Sequence, residues 1–524
     1  MTDSAAAGSI NLGNTPKTII AFPYSGDYRI DVLLSGANSK WLPEVPAGQT
    51  RTVSYSFALS AGYLAGDSYP DERKGLTPFT QAEMAATRSL FSYIGSVVPI
   101  TFTEVTETTA STSPVGDIRS VNNEQTDSSG YALFPSDTDT LLRGDVFLAN
   151  SAIGNSYAAG SFEYDTALHE IAHALGLKHP GNYNAGSEPS TEPGNYLATN
   201  EDSKTLSVVS YAEHPQDLQR IDFAPYDLLA LKYMYGLKPQ NLGNSTYTWT
   251  DAIGKQLQTL IDDGGQDQID LQNITTATRI DLREGSSSSA GLTGPNAAQE
   301  GVPATQNIQM AFGTAIETVL GSPQADTIIG NASANKFEGR GGNDVLDGGD
   351  GIDTAVWSGS AANYKVIKAA AGFNVQATTG KEGTDQLQNI ERLRFSDGGV
   401  ALDLNGNAGT VAKILGAVFG RAAVANKQFV GIGLSYMDAG WTYDNLAGLA
   451  LSAAGASTPD QIVTLLWTNV IGSAPTESNK STFIGMLQNG TTPGALAHMA
   501  ADTDFNTLNI NLVGLMQTGI AYIG

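Results

Sequence analysis

The sequence predicts a multidomain α+β protein: a twisted mixed sheet with helices, then a parallel β-roll and β-sandwich, then an all-α C-terminal domain. Three observations predict it. Strand and helix periodicities alternate between Ile20 and about Gly236, a nine-residue repeat begins at Gly321, and helix-cap signals fill the last hundred residues. A chain of 524 residues exceeds what one ordinary core holds. The boundaries fall as a loose tail over 1–19 and domains over 20–240, 241–404 and 405–524.

The first of these regions is ordered by two helices. Thr80 to Glu83 reads as a capping box, followed by apolar Met84, Phe91 and Ile94 and a stop at Gly95. Alternation of Val98, Ile100 and Phe102 then reads as a strand. A second helix covers Asp165 to Leu175, where Leu168, Ile171, Ala172 and Leu175 share one face.

Composition limits the function. Hydrophobic residues are 41% and charged residues 15%, which suits a globular protein. A net charge of −25 disfavours nucleic acid or an anionic membrane as the main partner and favours divalent cations. With no cysteine there is no disulfide, thiol nucleophile or thiolate metal site. Met1 to Ile20 lacks the pattern of a secretory signal peptide, and no stretch is apolar enough for a membrane span.

Chemistry concentrates in one segment. Of five histidines, three lie in His169-Glu170-Ile171-Ala172-His173-Ala174-Leu175-Gly176-Leu177-Lys178-His179. Residues four apart on a helix differ by about 40° and one turn, so His169 and His173 can reach one zinc ion. On a straight helix His179 would lie about 9 Å further along the axis. Gly176 supplies the left-handed break that lets it fold back as third ligand. Three nitrogen ligands leave a fourth position for water, as in catalytic zinc sites. Glu170 is placed beside the metal as general base.

The extended motif resembles the metzincin clan, and the continuation His179-Pro180-Gly181-Asn182-Tyr183-Asn184-Ala185 looks like its serralysin branch. The resemblance covers about Ile20 to Leu402, including Pro225 to Gly236. It implies a zinc-dependent endopeptidase with a metzincin-like catalytic domain acting on protein or peptide substrates. It further implies a tight turn beneath the zinc bearing a Met and, two residues on, a Tyr that assists the oxyanion. Ser207-Val208-Val209-Ser210-Tyr211 occupies that place, with Val209 where the family has Met and Tyr211 matching the Tyr. His214 and His498 read as surface or packing histidines.

The repeat reads GSPQADTII, GNASANKFE, GRGGNDVLD, GGDGIDTAV. Such nonapeptides build a parallel β-roll whose turns bind several structural calcium ions through carbonyls and carboxylates. The candidate ligands are Asp326, Asn335, Gly339, Gly341, Gly342, Asp344, Gly348, Gly349, Gly351 and Asp353. Asp326 should pair with Asp344, and Asn335 with Asp353. Trp357 to Leu402 resembles the sandwich that closes this module in serralysins, which implies export by a type I transporter to the extracellular space without an N-terminal signal peptide.

Thr458, Pro459, Gln461 and Gly472 delimit a helix carrying Ile462, Leu466 and Val470. Its region takes the place of the usual serralysin ending, resembles through Ile414 to Arg421 a helical domain of other type I substrates, and is expected to carry the secretion signal. The tail before Ile20 is read as a short propeptide, and a proteinaceous inhibitor or surface partner is a further expectation. The rival reading is a weak or inactive surface- or matrix-binding protein, motivated by Val209.

Overall fold

The computed structural model describes residues 23–34, 40–59, 71–108, 114–135, 142–183 and 196–524. The expected tail over 1–19, and Asn184 and Ala185 of the family-like continuation, lie outside the described residues. The chain divides into two compact units. The first holds residues 1–245, 249–265 and 284–315, and the second holds 246–248, 266–283 and 316–524.

The first unit opens with a single turn, α1 (Tyr28–Asp31), and is built on a five-stranded mixed sheet. Its strands are β1 (Arg51–Phe57), β2 (Ile100–Glu104), β3 (Ile118–Asn123), β4 (Gly130–Ala132) and β5 (Val146–Ala149), in the order β2-β1-β3-β5-β4. All neighbours are parallel except β4, which runs antiparallel to β5 and forms the edge.

Helices α2 (Gln81–Val97), α3 (Phe162–Ala174) and α4 (Pro225–Tyr235) share this sheet's core, contributing Leu90, Ile94, Leu168, Ile171 and Leu231 beside Val53 and Ile118. The capping box of α2 forms in both directions: Thr80 N–H donates to Glu83 at 2.5 Å and Glu83 N–H to Thr80 Oγ1 at 3.3 Å.

The helix does not stop at Gly95, as the sequence suggested, but runs to Val97, with Val98 as its cap and not a strand residue. Glycine serves there as a point of close approach, since a Cβ would meet Ile100 O at 3.1 Å. Strand Ile308–Met310 adds a small sheet with Gln258–Leu260 and Ser287–Ser288.

The second unit contains two sheets whose three-residue strands alternate along the chain. Thr318–Leu320, Lys336–Glu338 and Thr354–Val356 pair in parallel in one sheet, and Thr327–Ile329 and Val345–Asp347 in the other. Each strand therefore pairs with one two repeats away, and its middle residue (Val319, Ile328, Phe337, Leu346, Ala355) points into the core at 0–1% exposure. Parallel turns extend beyond the repeats: Gln268–Asn273 and Arg279–Asp281 precede them, and Thr384–Gln388 and Arg392–Phe395 follow. Antiparallel strands Tyr364–Lys368 and Phe373–Ala377 complete one sheet, and Gly398–Ala401 is added to the other.

Helices α5 (Asn407–Phe419), α6 (Lys427–Asp438), α7 (Tyr443–Ala453), α8 (Pro459–Ile471), α9 (Glu477–Gln488), α10 (Pro493–Ala501), α11 (Asp504–Asn509) and α12 (Leu512–Thr518) follow. Val411, Leu415, Leu434, Leu451, Leu466 and Leu496 form their own core. Helix α8 has the expected Thr458 cap, with Gln461 returning the bond, and ends at Gly472 with φ +81°. A threonine caps α7, α9, α10 and α11 in the same way. The C-terminal region is not wholly helical, because Ile520–Tyr522 pairs antiparallel with Gly399–Ala401. Among the described residues no helix is long and apolar enough to cross a membrane.

Candidate metal centre and active site

Helix α3 supplies the first two imidazoles. Ser161 caps it, accepting from Tyr164 N–H, and Leu175 ends it. Gly176 follows with φ +105°, a left-handed turn that returns the chain toward the helix. His179 thereby reaches the same point as His169 and His173. The three Nε2 atoms form a near-equilateral triangle with sides of 3.1 Å (His169–His173), 3.2 Å (His169–His179) and 3.0 Å (His173–His179).

The opposite ring nitrogens constrain the tautomers of two of the rings. His169 Nδ1 lies 3.0 Å from Val208 O, and His173 Nδ1 lies 2.6 Å from Leu177 O. A carbonyl only accepts, so each Nδ1 carries the proton and each Nε2 presents a lone pair. Two lone pairs about 3 Å apart repel unless a cation lies between them. Burial, with the neighbouring rings adding to it at His169 and His179, holds the three imidazoles below the usual histidine range, at about 4 for His173. Neutral imidazole is the ligand form, and a point about 2.0–2.1 Å from all three nitrogens lies about 1 Å outside their plane, so the donor set fits zinc. The candidate ligand atoms of the three histidines lie within 4.8 Å of one another, close enough to hold one metal ion.

The turn from Ser207 to Tyr211 passes beneath the rings. Asp227 of α4 fixes it: Oδ1 accepts from Ser207 Oγ at 2.6 Å, and Oδ2 from Val208 N–H at 2.8 Å and Ala224 N–H at 2.9 Å. The Val208 carbonyl that orients His169 is thus held from behind. Val209 is fully buried. Tyr211 is 42% exposed, its ring 4.4 Å from that of His179 and stacked on Tyr183 at 5.0 Å. Tyr211 N–H donates to Tyr183 Oη, which in turn donates to Asp202. Burial first, and the Glu170 charge second, push the Tyr211 phenol to about 12, so it stays a hydrogen-bond donor.

Glu170 is 5% exposed and lies against the edge strand β4. Its Oε2 has no hydrogen-bond partner among the described residues, and burial lifts its carboxyl to about 8. A buried acceptor left open beside a cluster of imidazoles is the property a proton-transfer group needs.

Comparison with known proteins adds a separate line of observation. Residues 320–355 match the RTX calcium-binding nonapeptide repeat, in four copies. The chain is 28% identical to Serralysin G of Dickeya chrysanthemi, over 64% of its own length and 69% of that protein. It is 30% identical to a serralysin of Photorhabdus laumondii, over 54% and 61%, and 26% identical to the metalloprotease AprA of Pseudomonas entomophila, over 55% and 60%. The chain is a serralysin homologue carrying RTX repeats. Its matches span 60–69% of the lengths of these relatives.

In this serralysin homologue the residue before each short strand forms a column. Asp344 Oδ1 accepts from Asp326 N–H at 2.8 Å and Asp353 Oδ1 from Asn335 N–H at 2.6 Å, the two pairs expected from the eighteen-residue spacing. The columns continue where the repeat has ended, for Asp344 N–H donates to Asp385 and Asp353 N–H to Glu391. Asp344 Oδ2 and Asp353 Oδ2 are buried and unpartnered among the described residues. Burial pushes the Asp344 carboxyl up to about 8 and that of Asp353 to about 7. Sequence reasoning did not find Asp227, Asp202 or the room Gly130 leaves for Glu170, because no spacing rule links residues so far apart, and it named Tyr183 only within the family-like continuation, without a role.

His214 is buried with Nε2 2.9 Å from Thr305 O, a packing role. His498 stacks on Tyr443 and pairs with Asp444 and Asp502.

Proposed function

We propose that this chain is a secreted, zinc-dependent endopeptidase with a metzincin-like catalytic domain over 20–240, a calcium-binding roll over 241–404 and a helical region over 405–524. His169, His173 and His179 hold the zinc, Glu170 is the general base and Tyr211 assists the oxyanion. The observation that carries the reading is the convergence of three Nε2 atoms on one point, with an open carboxylate and a phenol beside it.

When bound, zinc supplies Lewis acidity to the substrate carbonyl and to water. The chain's own groups do the rest. An extended peptide is aligned on the free edge of β4 by main-chain hydrogen bonds. Glu170 Oε2 accepts the proton of the attacking water and passes it to the leaving amine. The Tyr211 hydroxyl donates to the developing oxyanion. Val208 O and Leu177 O keep the imidazoles in the ligating tautomer throughout. Val209 provides an apolar floor smaller than methionine.

Calcium held by the glycine carbonyls and by Asp326, Asn335, Asp344 and Asp353 stabilises the roll outside the cell, after export of a loosely folded chain. The test is digestion of unfolded casein with and without a chelator, beside Glu170→Ala, with metal analysis of the same preparations. Chelator-sensitive digestion by the native chain alone, at about one zinc per chain, supports the reading. Equal digestion by both proteins removes it.

A further inference from the structure

The cleft beside the histidines carries a charge pattern that the hydrolytic step does not use. It encloses about 220 Å³ and is lined by Phe162, Lys204, Tyr211, Glu213, Asp127 and Gly130 among others. Its single ammonium is withdrawn. Lys204 is 6% exposed, and its Nζ is held by Asp165 Oδ2 at 2.5 Å, Glu213 Oε1 at 3.1 Å and Gln219 Oε1 at 3.3 Å. One ammonium against two carboxylates leaves the cluster negative. The charges that face solvent are acidic: Asp127 is exposed and the Glu213 side chain is 45% exposed.

An aromatic platform stands in the same place. Phe162, the first residue of α3, is 45% exposed, and its ring centroid lies 6.0 Å from Lys204 Nζ. In the core such a residue would be covered, whereas here it lies open beside a carboxylate. A ring face attracts a cation, and a carboxylate accepts the paired N–H groups of a guanidinium. One buried acceptor that lines the cleft, Glu170 Oε2, has no hydrogen-bond partner among the described residues, so the surroundings call for donors.

We propose that this cleft is a specificity subsite for a positively charged substrate side chain, arginine before lysine, close to the scissile bond. The inference rests on the endopeptidase reading and names its substrate class. Glu213 and Asp127 supply the charge, Phe162 supplies the stacking face, and Lys204 is the internal counter-charge that holds Glu213 in position. An acidic substrate side chain meets two carboxylates there and no accessible cation.

The test uses the full chain loaded with zinc and calcium and four quenched peptides that differ only in carrying Arg, Lys, Gln or Glu beside the cleaved bond. The expected order of kcat/KM is Arg, Lys, Gln, Glu, with Arg over Glu by at least about ten-fold at low salt and less at roughly 0.5 M salt. Glu213→Lys inverts the order, Glu213→Asp retains it, and Phe162→Ala narrows the gap between Arg and Lys. Because Glu213 also touches Lys204, Asp127→Asn is the second variant, expected to lower the Arg-to-Glu ratio through KM. Equal kcat/KM for all four peptides, preference for Glu, or an unchanged order in both Glu213→Lys and Asp127→Asn overturns the subsite. Cleavage of none of the peptides, with native chain and Glu170→Ala indistinguishable, overturns the endopeptidase reading instead.

Discussion

The histidine cluster and the aspartate columns of the roll both gather lone pairs in buried places, yet they are supported in opposite ways. Around the histidines, backbone carbonyls hold the rear nitrogen of two rings and leave the front nitrogens free. In the roll, backbone N–H groups of the preceding turn take one oxygen of Asp344 and of Asp353 and leave the other open. In the first arrangement the rings are neutral, and the carbonyls orient two of them. In the second, ionising carboxylates stacked turn on turn sets like charges against each other, which adds to burial in holding Asp344 up at about 8 and Asp353 at about 7. On the proposed reading, the contrast separates an ion that serves chemistry on a finished scaffold from ions that complete one.

Glu170→Ala should break the comparison most sharply: peptide hydrolysis falls by a factor of about 10² to 10⁴ or more while zinc content and melting temperature stay near native values. Calcium dependence comes next. At a calcium concentration about 100-fold above Kd the native chain gains about 2.7 kcal/mol, seen as a raised Tm. Asp353→Asn should remove much of that gain and His169→Ala none of it. Loss of the calcium response in His169→Ala would merge the two sites.

Asp227→Asn sharpens the view from the other side, since one carboxylate holds both the turn and the carbonyl behind His169. It should cost about 1–3 kcal/mol in denaturant unfolding and weaken zinc retention, leaving the calcium response intact. The smallest effect is expected from pH. Burial keeps the His214 imidazole below its usual value of 6.5. Below pH 6.5 the unfolded chain binds a proton there that the folded chain refuses, so stability present above that pH is lost as the pH falls toward the folded value. His214→Gln should flatten this part of the Tm profile in the presence of zinc and calcium.

Much of the candidate site was legible because helical geometry is local. The four-residue spacing of His169 and His173 and the glycine before His179 are consequences of 3.6 residues per turn and of one left-handed dihedral. Asp227, which secures the turn beneath them, comes from another helix, and no periodicity joins it to Val208. The roll was legible for as long as its nine-residue period lasted. Asp385 and Glu391 continue its columns but were invisible, because the antiparallel strands Tyr364–Lys368 and Phe373–Ala377 intervene and shift the count. Gly95 misled for a related reason: glycine marks both helix ends and close contacts, and only the neighbouring strand decides which.

Gly130 is of the second kind. A Cβ there would come within 2.9 Å of Glu170 Cγ and 3.0 Å of its Oε1, although the backbone at this position has no left-handed dihedral. Even alanine would have to displace the Glu170 carboxylate, the proposed general base. A saturation library at this position should contain well-folded members whose turnover declines with the volume of the new side chain, making residue 130 a steric dial on catalysis.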